Sequence, residues 1–196
     1  MTDRYDADDP AFDAQTGILR NKLGITDPGQ LKNAEAAFVT ERALQGLPKG
    51  NLDFDHLLTI HGHLFQDIYP WAGQTRTVQM TKHGSRFAAP AFIRQEADNL
   101  FASLESEGHL QGLALTAFAQ RAAHYANELN AIHPFREGNG RAIRAFLTVL
   151  AEGAGFALHL QRITPVIWLQ ASIKGFQDSD DAMADLIKSA MTESTA

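Results

Sequence analysis

Between His133 and Arg144 the chain reads His-Pro-Phe-Arg-Glu-Gly-Asn-Gly-Arg-Ala-Ile-Arg, a segment in which nearly every side chain can do chemistry. An imidazole has an ordinary pKa of ~6.5 and accepts a proton near neutral pH, so His133 is the candidate general base for a hydroxyl. A lone carboxylate beside phosphates is how proteins commonly hold Mg²⁺, which marks Glu137 as a candidate metal ligand. Gly138 and Gly140 permit backbone conformations that turn N–H groups toward an anion, and Asn139 adds a side-chain amide able to donate to a phosphate oxygen. Arg141 and Arg144 are three residues apart and so share one helix face. Paired guanidinium groups suit a polyphosphate better than a single phosphate. Together these parts could move a phosphate-bearing group onto a hydroxyl.

Each part has a plainer reading. His133 could be structural, Gly138-Asn139-Gly140 a turn, the arginines solvated surface and Glu137 a helix-start charge. The order base, carboxylate, glycine nest, arginines favours the site over five separate accidents.

The flanking elements must hold that order in space. Phe118, Ala122, Tyr125, Leu129 and Ile132 recur at helical spacing, and Pro134 stops that helix just after His133. A second apolar stripe (Ile143, Phe146, Leu147, Leu150) begins directly after the glycines. The motif therefore forms a loop between two helices, and the start of the second aims unpaired N–H groups and a positive dipole end at it.

Elsewhere Phe54, Leu57, Leu58, His61, Leu64, Phe65 and Ile68 form a stripe with Asp53 at the N-cap. Pro90 opens a helix that turns Ile93, Ala97, Leu100, Phe101 and Leu104 inward, with Gly108 as its stop. Further helices are predicted from Thr164-Pro165 and from Ser179-Asp180-Asp181, the last with Met183, Leu186, Ile187, Ala190 and Met191 inward. One stretch differs. Residues 75–80 alternate, His83-Gly84-Ser85 offers a turn, and Arg86-Phe87-Ala88 follows, which predicts a small β-hairpin. The expected fold is all-α with one inserted hairpin: an acidic, loosely held arm over residues 1–13, then a single domain over 14–196.

Bulk properties narrow the function. A formal net charge of −6 disfavours direct nucleic-acid binding, which needs a basic face. Without cysteine there is neither a disulfide framework nor a thiolate metal site. The first residues lack the positive-then-apolar order of a signal peptide, and no apolar run approaches the ~18 residues of a membrane span. A cytoplasmic protein with no membrane partner is expected. His56, His61, His63 and His124 invite a metal-site reading, but His61 and His63 point to different sides of a helix and all four are read as structural.

His133 through Arg144 matches every specified position of the Fic signature, His-x-Phe-x-(Asp/Glu)-Gly-Asn-Gly-Arg-x-x-Arg. The stretch from Ile60 through Arg76 resembles the preceding helix and loop of that family, and residues 81–88 resemble its flap. The resemblance implies a Fic-type helical bundle and a protein adenylyltransferase (AMPylase) that uses ATP and Mg²⁺. It implies His133 as base and Glu137 as Mg²⁺ ligand, with Gly138, Asn139 and Gly140 cradling phosphates. Arg141 would meet the β-phosphate and Arg144 the γ-phosphate, with Asn130, Thr81 and Lys82 as further nucleotide contacts. The flap (Thr81, Lys82, His83, Gly84, Ser85, Arg86, Phe87) would dock a target segment by strand addition.

Many relatives carry an inhibitory helix with the pattern (Ser/Thr)-x-x-x-Glu-(Gly/Asn). Ser103–Gly108 and Thr148–Gly153 fit the letters but lie within predicted core helices, and the segment from Ser189 to Ser194 fails at its last position. The chain thus resembles the toxin-like branch that is restrained by a separate small antitoxin protein. Gyrase and topoisomerase IV subunits are the targets that branch implies. A Doc-like kinase would carry lysine where this chain has Gly140; transfer of another phosphate-containing group and a non-catalytic scaffold are the remaining alternatives.

Overall fold

Two helices meet end to start at the motif. In the computed structural model, which describes residues 9–82, 85–177 and 179–194, they are α4 (Leu115–Ile132) and α5 (Asn139–Gly153). Phe118, Ala122, Tyr125, Leu129 and Ile132 of α4 are buried, as are Ile143, Phe146, Leu147 and Leu150 of α5. Beside them packs α2 (Phe54–Phe65), where Asp53 caps the start by accepting from the His56 N–H at 2.7 Å. Its inward residues Phe54, Leu57, Ile60, Leu64 and Phe65 join one core with α4 and α5. A single 3₁₀ turn at Pro90–Phe92 leads into α3 (Ile93–Ser106), which closes another side, with Gly108 beyond its end at φ +61°. The α6 (Pro165–Gln177) and α7 (Asp181–Ser189) helices pack on α4.

Periodicity does not disclose α1 (Pro28–Leu44), because its buried face is only Leu31, Glu35 and Val39, a narrow stripe with a carboxylate at its centre. The start is nonetheless well specified: Asp27 accepts from the Gln30 N–H at 2.7 Å and Pro28 occupies the first turn. This helix lies against α2 and brings Glu35 toward the motif.

The expected hairpin is present as β3 (Thr81–Lys82) paired antiparallel with β4 (Ser85–Arg86), Thr81 facing Arg86. Its turn residues His83 and Gly84 lie outside the described residues. Residues 75–80 form no regular strand: the Arg76 N–H donates to the Pro134 carbonyl at 2.8 Å, so this stretch is tied to the end of α4. Two more antiparallel pairs occur among the described residues, β1 (Phe12–Asp13) with β2 (Ile18–Leu19) and β5 (Phe156–Leu158) with β6 (Met191–Glu193). Met191 therefore reaches the core from a strand opposite Leu158, not from α7, which stops at Ser189. Elements of two or three residues are too short to display alternation.

The arm also differs from expectation over residues 9–13. Asp9 is buried, its carboxylate takes a hydrogen bond from Arg136 Nε, and Phe12 pairs with Leu19. A buried guanidinium requires a counter-charge, and the start of the chain supplies it. Residues 1–8 lie outside the described residues. Among those described, no helix is long and apolar enough to cross a membrane.

Candidate active site

His133 ends α4 in a left-handed conformation (φ 50°, ψ 61°), its N–H donating to the Leu129 carbonyl at 2.9 Å. That conformation is uncommon outside glycine but histidine adopts it more readily than most residues, and it swings the chain out of the helix before Pro134. The ring places Nδ1 3.3 Å from the Asn130 carbonyl. With the proton on Nδ1 donated there, Nε2 is the proton acceptor. Phe87, at the foot of the flap, lies face to face with the imidazole, centroids 3.8 Å apart and planes within 5°. The base is thus held from both sides, by the helix end and by the flap.

The loop beyond it is built from the inside. Phe135 is fully buried, and Asn139 Nδ2 donates to its carbonyl at 2.7 Å while Asn139 Oδ1 accepts from its N–H at 2.9 Å. This corrects the expectation that the Asn139 amide donates to a phosphate: the side chain is buried and both ends serve the loop backbone. What Asn139 offers an anion is its backbone N–H. That group and the Gly140 N–H open α5 without an intrahelical acceptor, since Gly138 at the N-cap has no side chain to cap them. Gly138 sits at φ +83°, and a Cβ there would run into the Phe65 ring. Glycine is required on both counts.

Glu137 stands at the rim, half exposed, with Oε1 accepting from the Gly138 N–H at 2.8 Å and from Arg141 Nη2 at 3.3 Å. Its other oxygen has no protein partner among the described residues. No cluster of three or more His, Cys, Asp or Glu side chains able to hold a metal occurs among them either. A single hard oxygen ligand suits Mg²⁺, which keeps waters and takes further oxygens from a nucleotide. The donor set fits the implied ion.

Arg141 lies over the Phe65 ring, its guanidinium carbon 4.8 Å from the centroid, and Arg144 lies over Trp168 of α6 at 5.4 Å. Burial and the charge of Arg141 push the Arg144 guanidinium down to about 10, still protonated at neutral pH. No carboxylate pairs with Arg144 among the described residues, whereas Arg141 Nη2 meets Glu35 Oε1 at 2.6 Å. Two like charges one turn apart, one of them unneutralised by the protein, make a site tuned to a polyanion.

Three supports hold the loop; sequence reasoning missed the first two and read the third only as structural. The first is Glu35. The second is Arg76, buried and bonded to four carbonyls: Nε to His133 at 2.7 Å, Nη1 to Val78 at 2.7 Å, and Nη2 to Ala88 at 2.6 Å and Ile132 at 3.2 Å. It neutralises the negative end of α4 and pins the flap stem to the backbone of the base. Burial pushes its guanidinium down to about 10, again charged at neutral pH. An arginine in an alternating run is the signal that could have revealed it. The third is His61, buried as expected, whose Nε2 donates to the Glu137 carbonyl at 3.0 Å and whose Nδ1 accepts from the Gly73 N–H at 2.9 Å. Its ring is sandwiched between Phe135 (3.8 Å) and Phe65 (4.7 Å).

Of the flap residues, Thr81 and Arg86 are exposed and Phe87 is buried against His133. Asn130 lies one turn before His133, its carbonyl bonded to the imidazole. The structure thus gathers His133, Glu137, Gly138, Gly140, Arg141 and Arg144 around one loop, with the flap anchored at its edge.

That loop lies within the part of the chain matched by a family model. Residues 51–151 match the Fic/DOC family. The chain belongs to this family. It is 43% identical over 175 residues to the probable protein adenylyltransferase y4lH of Sinorhizobium fredii, covering 88% of this chain and 91% of that one. It is 41% identical over 192 residues to the protein adenylyltransferase VbhT of Bartonella schoenbuchensis, and there it spans 96% of its own length but only 40% of the relative. Among solved structures, the BepC protein of Bartonella tribocorum with bound AMPPNP superposes with a TM-score of 0.86 at 30% identity, covering 94% of this chain and 97% of that one. An ADP-bound N-terminal Fic domain from Bartonella quintana gives 0.87, also at 30% identity, covering 94% of this chain and 95% of that one. The predicted fold class, a Fic-type helical bundle with a flap hairpin, is the one observed.

Proposed function

We propose that this Fic chain is a protein adenylyltransferase that moves AMP from ATP to a Ser, Thr or Tyr hydroxyl of a target protein, acting in the cytoplasm. The observation that carries the reading is the loop itself, which sets a histidine at the end of one helix against unpaired N–H groups and two arginines at the start of the next. His133 takes the proton of the target hydroxyl on Nε2. The hydroxyl oxygen bonds to the α-phosphorus, the bond from that phosphorus to the bridging oxygen of the β-phosphate breaks, and pyrophosphate leaves. Backbone N–H groups of Asn139 and Gly140 face the phosphates, with Gly138 leaving room for their approach. Arg141 takes the β-phosphate and Arg144 the γ-phosphate. Asn130, Thr81 and Lys82 are secondary nucleotide contacts. Glu137 would hold Mg²⁺, which when bound supplies charge neutralisation to the phosphates. Such transfer rests on positioning and electrostatics, and each of these groups supplies one or the other.

The flap receives the target. Arg76 and the Phe87 stack hold its stem at His133, so a segment pairing with β3 or β4 would carry its hydroxyl to the base. Type II topoisomerase subunits, gyrase and topoisomerase IV, are the first targets to test. We assign restraint to a separate antitoxin whose helix brings a carboxylate to Arg144. In support, β6 holds Glu193 opposite Phe156, which follows the C-terminal end of α5, whereas Arg144 stands near the start of that helix. Beside Trp168, Val166, Ile167 and Leu169 of α6 are exposed and could seat such a helix. The kinase alternative is disfavoured because that branch carries lysine where this chain has Gly140, a position at which a Cβ would lie 3.3 Å from the Trp168 indole nitrogen.

The test is His133→Ala. It should abolish AMP transfer while ATP affinity stays within about threefold of the parent, because the imidazole acts on the target hydroxyl and holds no phosphate. Undiminished transfer by that variant would refute the base assignment.

A further inference from the structure

The centre of the buried stripe of α1 is a carboxylate. Leu31, Glu35 and Val39 face inward at successive turns, and Glu35 is only 8% exposed. A leucine there would fill the stripe without desolvating a charge. What leucine could not do is reach two polar groups. Glu35 Oε2 accepts from the Tyr69 hydroxyl at 2.5 Å, and Glu35 Oε1 forms an ion pair with Arg141 Nη2 at 2.6 Å. Tyr69 is itself almost fully buried, stacked on Trp71 at 4.3 Å, and burial together with the Glu35 charge raises its hydroxyl well above the ordinary range. The hydroxyl therefore stays a donor at every physiological pH and holds the carboxylate in place.

Arg141 is gripped along one edge only. Glu35 forms an ion pair with Nη2 and Glu137 accepts a hydrogen bond from it, while the Phe65 ring supports the guanidinium face. Nε and Nη1 have no protein partner among the described residues. An arginine otherwise loses considerable rotamer entropy when it clamps a ligand; one already stacked and held at an edge loses less.

We infer that Glu35 is a positioning residue that presents the open edge of Arg141 to the β-phosphate of the nucleotide. The inference rests on the phosphate assignment of Arg141 given above. It makes α1, a helix outside the motif, part of the nucleotide site, and Tyr69 the group that steadies Glu35.

The experiment compares ATP with AMP, which lacks the β-phosphate. Calorimetric affinities for both would be measured on the parent, Glu35→Gln, Tyr69→Phe, Arg141→Ala and the Glu35→Gln/Arg141→Ala pair. Glu35→Gln should lower the ATP-to-AMP affinity ratio by about tenfold, as expected for loss of a charge-assisted contact, with AMP binding reporting that the chain is folded. Tyr69→Phe should shift the ratio the same way by less. In the Arg141→Ala background, Glu35→Gln should change the ratio no further. An unchanged or raised ratio in both Glu35→Gln and Tyr69→Phe would overturn the inference, as would a full tenfold loss persisting without Arg141. If Arg141→Ala itself leaves the ratio untouched, the phosphate assignment falls and the inference falls with it, a result distinct from the others.

Discussion

Lowering the pH from 7 to 4 should titrate His61 against the fold. Its ring is wholly buried between Phe135 and Phe65, and burial, with the positive charge of Arg141 adding to it, pushes its pKa from 6.5 down to about 4. The donated bond to the Glu137 carbonyl works the other way but is outweighed. Geometry gives the same sign. Nδ1 already accepts from the Gly73 N–H, so a proton added there would set two donors against each other. In the unfolded chain the imidazole binds its proton at the ordinary value, whereas in the fold it stays neutral until about pH 4. The unfolded state therefore holds more protons in that window, and stability rises with pH across it. The contribution is complete above pH 6.5 and lost as pH falls to about 4. At about 1.4 kcal/mol for each pH unit, it amounts to about 3 kcal/mol. Urea unfolding at half-unit steps between pH 7 and 4, alongside NMR of the imidazole Cε1 resonances, would read both quantities. His61→Phe should be less stable at pH 7 yet lack this part of the slope. A His61 resonance that titrates above pH 6, or an identical slope in His61→Phe, would refute the reasoning.

Other perturbations reach the motif from different sides. Asp9→Ala strands the buried Arg136 guanidinium and should cost about 3–5 kcal/mol, lowering the Tm in calorimetry by roughly 10 °C; a loss under 1 kcal/mol would show the pair to be dispensable. Gly138→Ala must adopt a left-handed conformation and displace Phe65, costing about 2–5 kcal/mol, and should depress nucleotide affinity even in the folded fraction. Glu193→Gln, on a strand away from the motif, should leave AMP transfer by the isolated chain within about twofold of the parent. A large gain in transfer would place a brake within this chain.

The helices around the motif were legible because α2, α3, α4 and α5 carry broad apolar stripes with Asp53, Pro90, Pro134 and the glycines as punctuation. The narrow stripe of α1 concealed both that helix and Glu35, whose role depends on an Arg141 contact more than a hundred residues away. Arg76 was similarly hidden, since capping the end of α4 is a tertiary relation that no local pattern encodes. Asn139 was placed correctly in the loop but misread in direction: sequence shows an amide, and only the fold shows it turned back on Phe135. The strand pairs β1–β2 and β5–β6 were invisible for want of length.

The most direct measurement of the central claim is label transfer from ATP. The parent chain, incubated with Mg²⁺ and purified topoisomerase subunits or a bacterial lysate, should label a protein band from α-labelled ATP and release pyrophosphate, with no band from γ-labelled ATP. A band labelled from the γ-phosphate would make the chain a kinase, and protein labelled from neither would contradict the transferase account.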